Sequence, residues 1–481
     1  MNTQGHEIGF LTASQDYLLY IEGLPSARVN DVIVSSSGNR ALVTGLTSTR
    51  IEALMLDKLR PAPGEIFTLE EGGLRLPLGV ALLGRTINPL GQPLDGKAGF
   101  PPSGKKTDLD AVAPGIAARK IIDMQLYTGI TMVDTLLPLG KGQRELIFGE
   151  PRSGKSSFLL DIIINQKNKN TICIYTALGR SEVDVKRFTK RIGETGAQKY
   201  TTIIAATSSD SAPLIAIAPS VACAIAEHFV LGGWDVLLIF DDFGAHAKYL
   251  REIGLLSGRI PGRESYPADI FYAHSHLVER AGNFNETYGN ASITLLPVIE
   301  TDLENFTNLI PTNVMAMTDG HLLFSASLRA QGLYPAIDPD RSVTRVGHQT
   351  QKPLHKLLAD KIRSLLADFH ELERYGRFGS ELTAQTQVIL KQGTLATELL
   401  KQEAGQFIDP LVQILLLSLI FTAFFNNRDV EFVRAHKEKI IKTLSTHQYF
   451  SQIKVMVGKD DFAGLILFVN DGIRYLEEAC Q

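Results

Sequence analysis

The stretch GEPRSGKS, residues 149–156, decides the central fold of this chain. It matches the pattern G-x-x-x-x-G-K-[S/T], which forms a phosphate-binding loop when it follows a strand and precedes a helix. Both flanks fit this context. RELIFG (144–149) has the composition of a buried strand, and SSFLLDIIINQ (156–166) is an apolar helical run. The stretch therefore predicts a parallel α/β domain of the P-loop, RecA-like type.

Each residue type in this loop has a physical role. Glycines 149 and 154 let the backbone turn so that its N–H groups converge, and the following helix adds the positive end of its dipole. Lys155 is expected to reach the β- and γ-phosphates of ATP or ADP, and the Ser156 hydroxyl to ligate Mg²⁺. The loop residues expected at the nucleotide are Gly149, Glu150, Pro151, Arg152, Ser153, Gly154, Lys155 and Ser156.

An acidic pair follows another apolar strand, in LLIFDD (237–242). A phosphate loop needs a carboxylate at the end of a neighbouring strand to hold the water shell of Mg²⁺, and Asp241, first off the strand, is the candidate. Solvated carboxylates at the end of a strand are the alternative. Loop and acid together bind MgATP, but hydrolysis also needs a Glu or Gln that orients the attacking water.

The pattern of apolar and turn-forming residues divides the chain into three parts. Residues 1–84 carry short β-prone runs, including DVIVSSSGNRALVTGL (31–46), which reads as a hairpin, and predict a small closed β-barrel. Residues 85–351 alternate apolar strands with helices, which predicts a parallel sheet covered on both faces. Residues 352–481 show helical periodicity, as in HKLLADKIRSLLADFHELERYG (355–376), and predict a helical bundle.

Composition and spacing disfavour several classes of protein. The net charge of −4 gives no attraction to nucleic acid or to an anionic membrane surface. The start has no signal-peptide pattern, and the three scattered cysteines fit a reducing compartment.

LVQILLLSLIFTAFF (411–425) is shorter than the roughly 20 residues that cross a bilayer, so we expect a buried helix. His274 and His276 lie two apart and share no helix face, which favours structural roles over metal binding.

Further segments resemble one family, the non-catalytic alpha subunit of F-type (rotary) ATP synthases. The resemblance runs from about residue 8 to about residue 405 in the order of the family, and implies a divergent or alternative form of that subunit. The segments that carry it are PGRESYPADIFYAHSHLVERAG (261–282), LPVIETD (296–302), IPTNVMAMTDG (310–320), SVTRVG (342–347), FGSELTAQTQVILKQG (378–393) and TELLKQ (397–402).

The resemblance implies a fold, partners and a location. The fold would be a six-stranded-type β-barrel, a nucleotide-binding domain and a helical bundle. Partners would be beta subunits in an alternating hexamer, the gamma central stalk, the delta and b stator subunits, and no nucleic acid. The chain would lie peripherally at the cytoplasmic face of a bacterial inner membrane, held there through the ion-conducting sector. The complex would make ATP from ADP and phosphate, driven by protons or sodium ions.

The resemblance also implies that this chain holds its nucleotide without cleaving it. The catalytic beta subunit has a glutamate in a Gly-Glu-Arg context, and alpha subunits usually have glutamine there. In TALGRSEVD (176–184), Gly179 is instead followed by Arg180, which cannot act as a base. Glu182 is the nearest other carboxylate. A self-sufficient hexameric ATPase, of the secretion or termination-helicase type, is the alternative, but it would carry the glutamate in the same chain.

Several side chains are assigned by the resemblance alone. In the family the arginine of SVTRVG reaches into the beta site, which makes Arg345 the catalytic candidate, with Ser342 in the same segment. The alternative is that Arg345 is an ordinary surface arginine. A further hypothesis is a non-enzymatic nucleotide-binding scaffold that has lost its rotary partners, and the intact SVTRVG segment argues against it. Tyr334 in GLYPAID resembles the beta tyrosine that stacks on adenine, although packing is the alternative. Gln402 and Gln406 fall near the alpha glutamines that reach the base.

Overall fold

The computed structural model describes residues 7–58, 61–70, 74–100, 108–302, 307–376 and 383–480. The chain forms two compact units. The first comprises Met1–Ile121, Lys141–Pro151 and Gln166–His321, and the second comprises Ile122–Gly140, Arg152–Asn165 and Leu322–Gln481. The three-part boundaries drawn from the sequence, at residues 84 and 351, stay a prediction.

The strands of the described residues are numbered along the chain. They are β1 (Ile8–Gln15), β2 (Leu18–Gly23), β3 (Val32–Ser35), β4 (Arg40–Leu46), β5 (Ile51–Met55), β6 (Ile66–Leu69), β7 (Thr86–Ile87), β8 (Gln125–Leu126), β9 (Leu139–Gly140), β10 (Glu145–Gly149), β11 (Thr171–Arg180), β12 (Thr201–Thr207), β13 (Asp235–Asp241), β14 (Gly282–Asn283), β15 (Ser292–Glu300), β16 (Gly320–Phe324) and β17 (Val343–Thr344).

The helices are numbered in the same way. They are α1 (Thr131–Leu136), α2 (Lys155–Asn165), α3 (Glu182–Glu194), α4 (Ala212–Leu231), α5 (Phe243–Leu256), α6 (Ile270–Glu279), α7 (Leu309–Met317), α8 (Ala326–Ala330), α9 (Pro353–Gly376), α10 (Ala384–Leu400), α11 (Pro410–Ser418), α12 (Val430–Thr446), α13 (Ile453–Met456), α14 (Phe462–Asp471) and α15 (Ile473–Cys480).

The barrel predicted for the start of the chain is confirmed. Its six strands close in the order β1-β2-β5-β4-β3-β6, and neighbouring strands are antiparallel. The predicted hairpin forms from β3 and β4, and Gly38 adopts a φ of +87° in its turn, a conformation that glycine adopts without steric cost. Alternate residues fill the interior with apolar side chains such as Leu19, Ile33 and Phe67.

The predicted parallel sheet is confirmed in the first unit. Its strands follow the order β10-β15-β13-β11-β12-β7, all of them parallel. Every residue of β12 is buried, as expected for a strand covered on both faces. Because the strands are parallel, their carboxyl ends meet at one edge of the sheet. That edge carries Gly149, Glu300, Asp241 and Arg180.

The apolar segment 411–425 is largely buried, as predicted, but it does not form one helix, so the predicted helix was too long. Helix α11 ends at Ser418, and two short 3₁₀ turns follow. The hydroxyls of Ser418 and Thr422 donate to the carbonyls of Leu415 and Leu419, which offers the backbone a local alternative to a continuous helix. Among the described residues, only α4 is long and apolar enough to span a membrane, and 67% of its apolar window is buried.

In the second unit, a buried carboxylate of α1 is bonded to α11. Helix α9 packs against α10 and α1, and α11 packs against α12. Asp134 is fully buried and accepts hydrogen bonds from Thr128, from the Gly129 N–H and from Gln413 of α11. Burial raises the pKa of Asp134 despite these donors. The hydrogen bonds therefore tie α11 to the segment that precedes α1.

The pH dependence of stability is expected to reflect His355, which is 1% exposed beside the Thr135 hydroxyl. Burial lowers its pKa to about 4, whereas the unfolded side chain titrates near 6.5. Between about pH 4 and pH 6.5 His355 is protonated in the unfolded state but not in the folded state. Its contribution to the free energy of unfolding is therefore complete above about pH 6.5 and is lost as the pH falls. We expect a loss of about 2 kcal/mol at pH 5 from this group.

Urea unfolding at pH 7 and pH 5 tests this expectation in the wild-type chain and in His355→Gln. Glutamine keeps a hydrogen-bonding amide but cannot titrate. The drop in unfolding free energy should therefore shrink by about 2 kcal/mol in the variant. Equal drops in the two proteins would contradict the assignment to His355.

Candidate functional site

The strand and the helix predicted around GEPRSGKS are both present. Strand β10 ends at Gly149, and helix α2 begins at Lys155. Between them Gly149, Arg152 and Gly154 have φ values of 144°, 60° and 104°. These positive values let successive N–H groups face the inside of the turn, as an anion-binding loop requires. Arg152, the one non-glycine residue among the three, adopts the left-handed conformation.

The side chains of the loop differ in exposure. Ser153 is fully buried and Lys155 is 5% exposed. Pro151, Arg152 and Ser156 are exposed, whereas Glu150 is half-buried. An exposed Ser156 side chain at the first turn of α2 can be reached by a cation or a phosphate.

At the carboxyl edge of the sheet, Asp241 is already paired with a cation of the protein. Its carboxylate is 1% exposed. The Tyr175 hydroxyl donates to Oδ2 over 2.6 Å, and Nε of Arg180 lies 3.4 Å from Oδ1. Glu300, at the end of β15, lies 3.9 Å from the same guanidinium. Tyr175 and Asp241 are buried and Arg180 is half-buried, and together they form a Tyr–Asp–Arg group that the sequence did not reveal.

The charges of this group follow from its neighbours. Burial by itself would lower the pKa of Arg180, but the carboxylates led by Asp241 raise it above its ordinary value. Asp242 caps α5 by accepting the Ala245 N–H, and it also accepts the Glu300 N–H. Burial and the neighbouring Asp241 raise the pKa of Asp242 to about 6. Arg180 therefore stays a full cation among carboxylates.

Arg180 also lines a cavity of the first unit, with a volume of about 430 Å³. Pro151 of the loop and Glu300 line the same cavity. Glu182, the other carboxylate named from the sequence, does not. It begins α3, accepts the Ser209 hydroxyl over 2.9 Å, and lines a separate cavity. The position expected for the catalytic glutamate is thus taken by a cation, and Glu182 is engaged elsewhere.

Tyr334 and Gln402 come together in the second unit. Tyr334 is 6% exposed, and its carbonyl accepts the Gln402 N–H over 2.9 Å. This backbone contact places the start of the segment after α10 directly beside Tyr334. The Tyr334 hydroxyl donates to Asp161 of α2, which also accepts the Gly405 N–H. The sequence analysis did not single out Asp161. The signal that could have found it is that Asp161 is a lone carboxylate in the apolar run of α2.

The Gln402 side chain is used within the fold. It is 5% exposed, and its Oε1 accepts both the N–H and the hydroxyl of Thr131, each over 3.0 Å. Its Nε2 donates to the carbonyls of Gly129 and Gln406. Gln406 is only half-buried, so it has more room than Gln402 to reach a ligand. Their assignment to the base stays a prediction.

The segment that carries Arg345 is fixed on both sides of this residue. The Ser342 hydroxyl donates to the Asp338 carbonyl over 2.6 Å and accepts the Leu323 N–H over 3.0 Å. The Thr344 hydroxyl donates to the Pro138 carbonyl over 3.0 Å. Arg345 itself is exposed, and its guanidinium has no hydrogen bond or ion pair within the described part of the chain. A fixed backbone therefore presents a solvent-accessible cation.

The two histidines of α6 lie in different environments. His274 is fully buried, and its ring stacks 4.2 Å from that of Phe243. His246 lies against it, with ring nitrogens 3.4 Å apart, and burial lowers the pKa of both histidines. His276 instead lies 3.2 Å from Asp110. The pair at His246 and His274 is packed as neutral core side chains.

The family models and the individual relatives that match this chain agree with one another. Residues 129–344 match the model of the ATP synthase alpha/beta family, nucleotide-binding domain, and residues 351–460 match that of the ATP synthase alpha/beta chain, C terminal domain. The chain is 36% identical over 444 residues to "ATP synthase subunit alpha" of Caldanaerobacter subterraneus subsp. tengcongensis, covering 92% of this chain and 88% of the relative. It is 38% identical over 440 residues to the protein of that name from Mycoplasmopsis agalactiae, covering 91% and 83%.

Proposed function

This chain belongs to the ATP synthase alpha/beta family and is of its alpha type, and we propose that it holds a nucleotide without cleaving it and supplies Arg345 to a neighbouring beta subunit. It is thus a subunit of an enzyme that makes ATP, and its nucleotide-binding domain binds ATP or ADP. The observation that carries the non-catalytic assignment is Arg180, a cation at the position where hydrolysis needs a carboxylate.

The binding role rests on the loop. The positive φ values at its turn, the first turn of α2 and the Lys155 ammonium are the parts that hold phosphates in proteins of this type. In the second unit, Tyr334 lines a largely apolar cavity of about 440 Å³. Such a cavity suits an adenine base, and we propose Tyr334 as its nearest contact. Gln406 does not line this cavity and stays a candidate for the base from the resemblance alone.

Mg²⁺ is the expected companion of the bound nucleotide. Where it binds, it would neutralise charge on the phosphate oxygens. The exposed side chain of Ser156 fits a ligand of this cation. One carboxylate oxygen of Asp241 accepts the Tyr175 hydroxyl, and the other lies 3.4 Å from Nε of Arg180, so a metal-linked role would share the carboxylate with these two side chains. The role of Asp241 that the sequence suggested stays a proposal.

Partners and location follow from the same family. The chain is part of an ATP synthase complex, and we propose alternation with beta subunits around the gamma stalk, with delta and b subunits as the stator. We also propose a peripheral place at the cytoplasmic face of a bacterial inner membrane, through the ion-conducting sector. The complex would use a gradient of protons or of sodium ions.

The experiment that tests the proposal measures ATP turnover and bound nucleotide for the purified chain, alone and with its beta partner. We expect bound nucleotide without turnover for the chain alone, and turnover once beta is present. Steady turnover by the chain alone would overturn the proposal and favour a self-sufficient hexameric ATPase, in which another carboxylate acts as the base.

A further inference from the structure

We propose that Thr344 and Gly347 are positioning residues, which anchor the backbone on either side of Arg345 so that its guanidinium starts from a fixed place. The inference rests on the proposed function, since it takes Arg345 to act at the site of a beta subunit. Both residues, and the Pro138 carbonyl against which they pack, belong to the second unit.

The hydroxyl of Thr344, the residue just before Arg345, makes two hydrogen bonds. It donates to the Pro138 carbonyl over 3.0 Å and accepts the Gly347 N–H over 3.2 Å. Thr344 is 8% exposed, so water has little access to replace either bond. One side chain therefore joins the two ends of the short turn that carries Arg345, and ties this turn to the residue before β9.

Gly347, two residues after Arg345, packs against the same carbonyl. A Cβ atom built on Gly347 would overlap the Pro138 carbonyl oxygen and would lie 2.6 Å from both the Pro138 carbonyl carbon and Oγ1 of Thr344. Real Cβ atoms essentially never approach other heavy atoms to under 3.0 Å. Glycine is needed here for close approach and not for its conformational freedom, because the φ of Gly347 is not positive. Any side chain at this position would push the turn away from Pro138.

The chain that follows the turn is anchored as well. The Thr350 hydroxyl donates to the Gly347 carbonyl over 2.6 Å. Nε2 of Gln351 donates to the carbonyls of Asp134 and Thr135, both in α1, over 3.0 and 2.9 Å. These bonds limit the ways in which the backbone after Arg345 could shift to accept a larger residue at Gly347.

The anchoring matters because of what Arg345 is proposed to do. An arginine that stabilises a transferring phosphoryl group must be held close to its productive place, and a misplacement of about 1 Å can lower a rate about 100-fold. The Arg345 side chain is exposed and has no hydrogen bond or ion pair within the described part of the chain. The position of its backbone is therefore what this chain contributes to its placement.

Steady-state ATP turnover by the complex with beta tests the inference. For Gly347→Ala we expect kcat to fall about 100-fold with KM little changed, because the disturbed interaction is made in the transition state. Thr344→Val removes the hydroxyl at nearly constant shape and should lower kcat about tenfold. Thr344→Ser keeps the hydroxyl and should restore most of this loss. Gly458→Ala is the matched control, because a Cβ atom on this exposed glycine of the same unit meets no atom within 4 Å.

A double variant separates positioning of Arg345 from a general defect of the fold. If Thr344 acts through Arg345, adding Thr344→Val to Arg345→Ala should leave turnover within about threefold of that of Arg345→Ala alone. A further tenfold loss would overturn the inference, since Thr344 would then support activity by another route. Gel filtration and circular dichroism check assembly and folding. If Gly347→Ala fails to assemble, the comparison of Thr344→Val with Thr344→Ser decides.

The outcomes separate this inference from the proposed function. Near-normal turnover in Gly347→Ala and in Thr344→Val, beside a large loss in Arg345→Ala, would overturn the inference and leave the role of Arg345 intact. Equal losses in Thr344→Val and Thr344→Ser would also overturn it, because the hydroxyl would then not be the cause. Near-normal turnover in Arg345→Ala would instead contradict the proposed function itself.

Discussion

Replacing Arg345 with alanine is expected to lower ATP turnover by the complex with beta about 10³–10⁵-fold, while this chain keeps its own affinity for nucleotide. An arginine that stabilises charge on a transferring phosphoryl group contributes a factor of this size. The exposed guanidinium makes no hydrogen bond or ion pair within the described residues that the fold would lose. The segment around it is held by Ser342 and Thr344, so the substitution should leave its backbone in place.

Turnover by the complex and nucleotide binding by the isolated chain are the two measurements. Arg341→Ala is the matched control, because Arg341 is another exposed arginine of this segment and forms an ion pair with Asp338. It should reduce turnover little. Near-normal turnover of the Arg345→Ala complex would show that this arginine does not act at the beta site. Failure of the complex to assemble would be detected by gel filtration, and Arg345→Lys then tests the need for the guanidinium fork.

Replacing Lys155 with alanine is expected to weaken binding of ATP to this chain about 100-fold or more. A charge-assisted hydrogen bond between an ammonium and phosphate contributes roughly 1.5–3 kcal/mol, and its removal also leaves phosphate charge less compensated. Lys155 is 5% exposed at the start of α2, where its charge adds to the helix dipole. If the nucleotide of this chain is not turned over, turnover by the complex should fall much less than binding does.

Equilibrium binding of ATP to the isolated variant is the test, with circular dichroism to confirm the fold. Lys167→Ala is the matched control, because Lys167 is an exposed lysine just beyond the end of the same helix. Its affinity should stay within about twofold of the wild type. Unchanged affinity in Lys155→Ala would mean that GEPRSGKS is not the phosphate site.

Much of the fold was predictable because its signals are local. The loop pattern and its flanks predicted β10 and α2, and continuous apolar runs predicted the buried parallel strands. The turn residues between β3 and β4 predicted their hairpin. Segment 411–425 was harder, because the backbone becomes extended at Thr422, whose side chain caps the next 3₁₀ turn by accepting the Phe424 N–H, and a count of apolar residues does not include such local hydrogen bonds.

The site was predictable only in part, because some of its contacts join residues that are far apart in the chain. The sequence determined that a phosphate loop exists, that an acid ends a neighbouring strand, and that Arg180 replaces the expected carboxylate or amide. Only the tertiary structure decided that Arg180 pairs with Asp241 and that Gln402 is held by Thr131 and Gly129. Such pairings join residues far apart in the chain, and their geometry is set by strand order and burial rather than by spacing along the sequence.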